Sequence, residues 1–312
     1  MISNNVAVII LAFNEELHLE RAIRSVQQFS SCVYIVDSYS TDRTKEIAGR
    51  LGAKFVQRAF VNQAEQFNWA LDNLDISADW IMRLDADEVV EPDLAKRIVS
   101  ELPSLNDDIV GVNFSRKHVF MGRWIKHGGR FPLYMVRLWR RGCGRVEERW
   151  MDEHVVVRGG RIVYMQGGFA DVNLKDLSYF VDKHNSYATR EAIEVIIRKY
   201  ELFSFREDSV DGSLSGQARV KRFVKDNIYS KIPFGLSSLG YFLFRYIVQL
   251  GFLDGRQGLI YHFLQGYWYR FLVGAKVVEL EAAINDIPGK SEMIAELSRI
   301  TGHNLLSGHR CL

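Results

Sequence analysis

Three cysteines in 312 residues, Cys32, Cys143 and Cys311, are too few and too scattered for a disulfide framework or a zinc site, and they point to a reducing compartment. Net charge is also lacking. Lys and Arg number 40 against 38 Asp and Glu, a formal +2, which is no footprint for general nucleic-acid binding. No G-x-G-x-x-G follows the first apolar run and no G-x-x-x-x-G-K-[ST] occurs anywhere, which disfavours dinucleotide dehydrogenases and P-loop NTPases. The first residues carry no basic cluster and no cleavage signal, so the expectation is a chain that stays on the cytoplasmic side. Core-building material is plentiful, with 47% apolar and 25% charged residues. That composition and length imply one large α/β domain, or one domain with a sizeable appendage.

The first half alternates strand and helix signals. Residues 6–11 (VAVIIL) form a near-continuous aliphatic run, as expected of a strand buried on both faces. Asn14 follows as an expected helix cap, with Glu15 and Glu16 in the first turn and Leu19, Ile23 and Val26 on the apolar face. Strands are expected at 33–36, 54–57 and 80–84, and helices at about 43–51 and 63–74. Alternation with short connections predicts a parallel, doubly wound sheet, which binds ligands outside the carboxyl ends of its strands. Three polar clusters fall there: residues 13–16, 37–42 and 85–88. Asp37 would accept hydrogen bonds from a base or ribose. Asp85 and Asp87 would hold Mg²⁺ or Mn²⁺ on a diphosphate, since hard cations take oxygen ligands. Taken singly, each cluster is as readily a set of turn caps, and a lone D-x-D is weak evidence; their convergence gives them weight.

LAFNEE (11–16), DSYSTDRT (37–44) and LDADE (84–88), in that order, resemble the signature of family 2 glycosyltransferases of the GT-A fold. The similarity is greatest to bacterial enzymes that build lipopolysaccharide core and other surface glycans. It is strong over about 6–91 and weaker to about 190. The resemblance implies a Rossmann-like, mostly parallel sheet with flanking helices. It implies Asp87 and Asp85 as metal and sugar-nucleotide ligands, and Asp37 with Ser38 against the nucleoside. Ala12, Phe13, Asn14 and Glu16 would wrap the base, and Asn68 would be a polar donor-site residue.

Inverting transfer needs a general base apart from the metal pair. Asp152, Glu153 and His154 precede the run 155–157 and the Gly159-Gly160 turn; similar enzymes carry a histidine–glutamate pair six residues before a similar glycine, and Glu153 stands six before Gly159. Glu153 is the first candidate and Asp152 the second. Ten Lys and Arg lie between Arg116 and Arg149, against Glu147 and Glu148. This run is either a solvated face or a phosphate-binding acceptor surface, with Arg123, Lys126, Arg130 and Arg137 as candidates. The motif from His184 through Asn185, Tyr187, Ala188, Arg190 and Glu191 opens a long polar helix to which no chemistry is assigned; helix packing is the default.

From 217 to 276 nine Lys and Arg face only Asp226 and Asp254, and residues 223–271 hold fourteen of the chain's 38 aromatics. Residues 232–253 are long enough to cross a bilayer but contain Pro233, several small residues, Arg245 and Gln249. Two interfacial or shallowly inserted helices are preferred, flanked by the basic residues 219–225; the alternative is a helical hairpin packed in protein. The expected organisation is a GT-A domain over 1–200 (nucleotide-sugar half to about 95, acceptor half beyond it), an amphipathic, aromatic membrane-associating helical region over 201–280, and a polar tail over 281–312. The expected activity is metal-dependent, inverting transfer of a sugar, from a UDP-sugar first of all, to a lipid-linked saccharide. That acceptor would be polyprenyl-diphosphate-linked or lipid A–core, at the cytoplasmic face of the inner membrane, with the protein peripheral or monotopic. No nucleic-acid partner is expected, and a homo-oligomer is left open. The alternatives are a non-catalytic GT-A-shaped scaffold for lipid or nucleotide and, less favoured, a sugar-phosphate nucleotidyltransferase.

Overall fold

In the computed structural model, which describes residues 5–147, 154–203 and 233–305, the first aliphatic run becomes strand β1 (Val6–Ala12). Its side chains feed two separate cores. Val6, Val8 and Ile10 pack with Ile35, Met82, Leu84 and helix α1 (Leu19–Val26). Ala7 and Ile9 pack with Val36, Ile81 and helix α3 (Gln63–Asn73) through Ala64, Phe67 and Ala70. Burial on both faces is why the strand reads as unbroken hydrophobicity rather than alternation. Each fully buried isoleucine contributes about 1.5–3 kcal/mol.

Strands β2 (Ser30–Asp37), β3 (Lys54–Gln57) and β4 (Trp80–Asp85) join β1 in the parallel order β3-β2-β1-β4, with helix α2 (Thr44–Arg50) between β2 and β3. The expected parallel sheet holds to this point. Beyond β4 the sheet becomes mixed. Strands β5 (Glu88–Val90), β6 (Ile109–Phe120), β7 (Arg123–Trp124), β8 (Leu133–Arg140) and β11 (Arg161–Val172) complete it. β8 lies antiparallel to both β4 and β6, β5 antiparallel to β11, and only β6–β11 is parallel. The reason lies in the connections. Helix α4 (Pro92–Glu101) sits between β5 and β6, but β6, β7 and β8 follow one another without a crossover helix, and short connections enforce antiparallel pairing. β9 (Gly144–Val146) and β10 (Val155–Val157) form a separate two-stranded sheet.

This unit ends at Lys175, and a second unit begins at Asp176, earlier than the boundary expected near 200. Helix α5 (Leu177–Lys199), opened by Asp176 accepting the Tyr179 N–H at 2.8 Å, belongs to the second unit. There it packs on helix α8 (Tyr269–Ile284). The motif without an assigned chemistry is a latch between helices: Gln265 Nε2 meets His184 Nε2 at 2.6 Å, and the Tyr269 hydroxyl donates to Glu191 at 2.6 Å. His184 Nδ1 meets the Phe180 carbonyl at 2.7 Å, so Nδ1 carries the proton and Nε2 accepts from the Gln265 amide.

Helix α6 (Phe234–Leu243) continues in wider turns through Phe244–Val248, breaks at Leu250 (φ 61°), and returns through helix α7 (Gly255–His262) and Phe263–Trp268 into α8. Among the described residues no single helix is long and apolar enough to cross a membrane. The expected polar tail is instead helical: α9 (Lys290–Thr301) buries Ile294 and Leu297, one turn apart, and ends at Gly302 (φ 71°).

Candidate active site

Strand register brings the three polar clusters to one sheet edge. Ala12 pairs with Asp37, Asp37 with Gln57, and Leu11 with Asp85, so the loops leaving β1, β2 and β4 start at the same level. That edge lies where the strand order reverses between β1 and β4, the place where such sheets open a crevice.

The first two loops are knitted together. Ser40 Oγ donates to Asp37 and accepts the Asn14 N–H at 2.8 Å; Thr44 Oγ1 accepts the Glu15 N–H at 2.8 Å, and Asp42 the Glu16 N–H at 3.0 Å. In return, Asn14 Oδ1 accepts the Thr41 N–H at 2.9 Å and Glu16 accepts from Arg43 Nε at 3.1 Å. Asn14 is therefore not the expected helix cap. It sits at φ 53° in the left-handed region that asparagine tolerates, and α1 begins only at Leu19, with no side-chain cap. Asp37 is fully buried and holds the Ser40 N–H at 2.9 Å and Gln57 Nε2 at 3.1 Å. Its visible work is to shape the second loop rather than to face open solvent. Ser38 donates its N–H to the Ala12 carbonyl at 2.9 Å and pairs its hydroxyl with Gln66, while Phe13 is 56% exposed beside the buried Ala12.

The D-x-D turn rests on a buried charge network. Arg137 Nη2 lies 3.0 Å from Asp85 Oδ2 and 2.5 Å from Glu88 Oε1; Arg83 Nε lies 3.3 Å from Asp85 Oδ1, and the Asp85 N–H donates to Glu88 Oε2 at 3.0 Å. Arg116 pairs with Asp171, which also holds His118 Nδ1 at 2.9 Å. Burial alone would raise both carboxyls of the turn. At Asp85 the Arg137, Arg83 and Arg116 charges outweigh it and hold the group well below the usual range. At Glu88, enclosed completely and beside the Asp85 charge, burial prevails over Arg137 and pushes the carboxyl up to about 8. Arg137 is thus not part of a solvated basic face: it is 3% exposed and spent on carboxylates. Arg123 and Lys126 are exposed and Arg130 half-buried; Lys126 and Lys117 stand 5.5 and 4.9 Å from the Trp124 ring centre. Asn68 also departs from expectation. Its amide is 8% exposed and is occupied by both backbone groups of Val146.

Four consecutive residues that the sequence reading passed over bind the first loop and the D-x-D turn. The Val172 N–H donates to the Asp87 carbonyl at 3.0 Å, Asn173 Nδ2 to Asp87 Oδ2 at 3.2 Å, and the Leu174 N–H to His18 Nε2 at 2.9 Å; Lys175 Nζ reaches the Asn14 carbonyl at 3.2 Å and Glu15 at 3.0 Å. Because a backbone N–H only donates, His18 Nε2 is the bare acceptor and Nδ1 carries the proton toward Glu15, 2.5 Å away. One signal was available: Arg83 and Asp171 are charges inside otherwise apolar strands, which survive only when paired.

Among the described residues no group of three His, Cys, Asp or Glu side chains could hold a cation alone. Asp87 and Asp85 offer hard oxygen donors two positions apart. That set suits Mg²⁺ or Mn²⁺, which keep water and take substrate phosphates alongside one or two carboxylates. The base candidates Glu153 and Asp152 lie outside the described residues, as do the basic residues 219–225.

The chain is similar to a glycosyltransferase of Rickettsia typhi, 34% identical over 211 residues that cover 64% of this chain and 71% of that one. It is similar to a lipopolysaccharide core biosynthesis glycosyltransferase, LpsC, of Rhizobium meliloti, 28% identical over 189 residues, covering 59% and 68%. A glycosyltransferase of Rickettsia bellii is 35% identical over 108 residues, 35% of this chain, and the chain spans only 36% of that relative's length. The pattern described as Glycosyl transferase family 2 matches residues 7–170, more than half the chain, from the start of β1 almost to the end of β11. A parallel half-sheet ending in loops 13–16, 37–44 and 85–88, continued by a mixed half, resembles the GT-A arrangement, and the chain belongs to glycosyl transferase family 2.

Proposed function

We propose that the protein transfers one sugar, with inversion, from a nucleoside diphosphate donor to a lipid-linked saccharide during assembly of a bacterial surface glycan. A UDP-sugar is the first donor to test, and a polyprenyl-diphosphate-linked or lipid A–core saccharide the acceptor, met at the cytoplasmic face of the inner membrane. The observation that carries this reading is the register placing Ala12, Asp37 and Asp85 at one sheet edge, with Asp87 in the turn beyond. The name of the Rhizobium relative supports surface glycan as the product class.

Asp87 and Asp85 are the residues that would hold Mg²⁺ or Mn²⁺, whose charge would stabilise a departing diphosphate. The chain's own work is positional. Asp37 fixes Ser40, Ser40 fixes the Asn14 backbone, and Asn173 and Lys175 tie the D-x-D turn and the first loop to the end of β11. Such preorganisation costs nothing at the moment of reaction. Glu153, or Asp152, would take the proton from the attacking acceptor hydroxyl. Exposed Arg123 and Lys126, with Arg130, supply positive charge for a phosphorylated acceptor.

The test is nucleotide release from UDP-, GDP- and dTDP-sugars with Mg²⁺ or Mn²⁺, with and without membrane lipid extract, for wild type and Asp87→Asn. Release from one donor that needs the metal, rises with lipid and vanishes in the variant is expected. If the variant equals wild type and no sugar reaches lipid, the transferase reading fails and a binding scaffold replaces it; pyrophosphate release from a nucleoside triphosphate would mark a nucleotidyltransferase instead.

A further inference from the structure

The hairpin of the second unit is polar inside and apolar outside. From position 233 to 255 every exposed residue is apolar or glycine, with Leu236, Leu243, Phe244, Ile247, Val248 and Phe252 prominent. Charged and polar groups lie within: Arg245 is 4% exposed, Asp254 2%, Ser238 2% and His262 0%. The Arg245 guanidinium stands 5.6 and 5.9 Å from the Tyr241 and Tyr261 ring centres, and His262 Nε2 is 4.0 Å from Asp254 Oδ2. Glycine makes this interior possible, since a Cβ on Gly258 would stand 2.5 Å from the Asp254 Cβ. A surface meant for water carries the opposite distribution, and an apolar face this continuous marks contact with another molecule or with lipid.

Two observations choose the occupant. The arm from Phe234 to Val248 rises about 22 Å at 1.5 Å per residue, short of the roughly 30 Å needed to cross a bilayer, and the chain then bends by 73°. Exposed arginines border the apolar stretch: Arg270, 3.9 Å from the Tyr241 ring centre at the middle of the arm, and Arg256 just past the break. We infer that the 234–253 arm beds along the headgroup–acyl boundary of one bilayer leaflet, with acyl chains against its apolar side and Arg256 and Arg270 both in the headgroup layer of that leaflet. Arg245, Asp254 and His262 keep their polar contacts inside the protein, the condition on which polar groups survive near hydrocarbon. This holds independently of whether a sugar is transferred.

The test uses full-length protein floated with sealed vesicles of phosphatidylcholine, with and without anionic lipid, in high salt. Wild type is expected to float with both, because burial of apolar surface is not screened. Ile247→Gln/Val248→Gln, at positions 55% and 66% exposed, is expected to lose binding at least tenfold while its thermal melting in detergent matches wild type. With Cys32, Cys143 and Cys311 replaced by serine, Arg256→Cys is expected to react with an impermeant thiol reagent added outside, on the side from which the protein bound. Three results would overturn the inference: flotation that high salt abolishes, an Arg256→Cys thiol reached only after vesicle lysis, or a lipid-free dimer that the double variant dissociates. Wild-type flotation and labelling decide the matter even if the double variant fails to fold.

Discussion

Asn68 closes on Val146 in both directions: its Nδ2 donates to the Val146 carbonyl at 2.8 Å while its Oδ1 accepts the Val146 N–H at 3.0 Å. One side chain in α3 thereby stands in for a strand and terminates the edge of β9. Asn68→Ala would leave two buried backbone groups unpaired, at a cost of about 2–4 kcal/mol. Denaturant unfolding should show that loss, while nucleotide affinity of the folded variant stays within about twofold of wild type, a difference of about 0.4 kcal/mol. A large loss of nucleotide affinity at unchanged stability would return Asn68 to the donor site.

Arg137 faces two acids at once, the ionised Asp85 and Glu88, whose buried carboxyl is pushed up to about 8, and Arg137 and Glu88 have almost no exposed side chain. Arg137→Met should destabilise the fold by about 1–3 kcal/mol, because it leaves the Asp85 carboxylate without its Arg137 partner. Adding Asp85→Asn should restore part of that. A double-mutant cycle in urea measures the coupling, and strict additivity would show that the pair does not interact.

The acid limb of stability should depend on Glu15. Burial alone would raise its carboxyl, but hydrogen bonds from His18 and Lys175 and the Lys175 charge outweigh it and hold the group below the usual carboxylate value. A depressed acid contributes stability that is complete above its unfolded value, about 4.3, and is lost as pH falls through its lower folded value. Melting curves from pH 7 downward should therefore be steeper below about pH 4.3 for wild type than for Glu15→Gln. The variant should be less stable than wild type at neutral pH by about 1–3 kcal/mol. Parallel curves would remove Glu15 from the account.

The α5 latch is a prediction about helix packing and not about chemistry. His184→Phe removes the Gln265 bond and Glu191→Gln weakens the Tyr269 bond. Each should cost about 0.5–2 kcal/mol in unfolding and leave nucleotide binding by the first unit unchanged.

How much of this was legible beforehand differs from element to element. VAVIIL read as a doubly buried strand because hydrophobic period and burial are local properties of the chain. The carboxyl-end clusters at Asp37, Asp85 and Asp87 were legible for the same reason, once the alternation of strand and helix had placed them at strand ends. Arg137 and Asn68 were not. Asn68 read as a donor-site residue and Arg137 as part of a solvated or phosphate-binding run, and only pairing across 78 residues in one case and 52 in the other turns them inward. The strap of Asn173, Leu174 and Lys175 is invisible in the same way, since its partners Asp87, His18 and Glu15 lie in other loops. The tail after 281 was misread because Ile294 and Leu297 make a narrow apolar stripe that signifies a helix only when another helix covers it.

The sequence by itself determined the family, the alternation of strand and helix as far as β4, and the residue types at the carboxyl edge, because these depend on patterns within a few residues of one another. Tertiary structure decided which polar groups are spent on the fold and which remain for a ligand. A hydrogen bond or ion pair is set by position in space, and position in space across a mixed sheet depends on pairings that no local pattern contains.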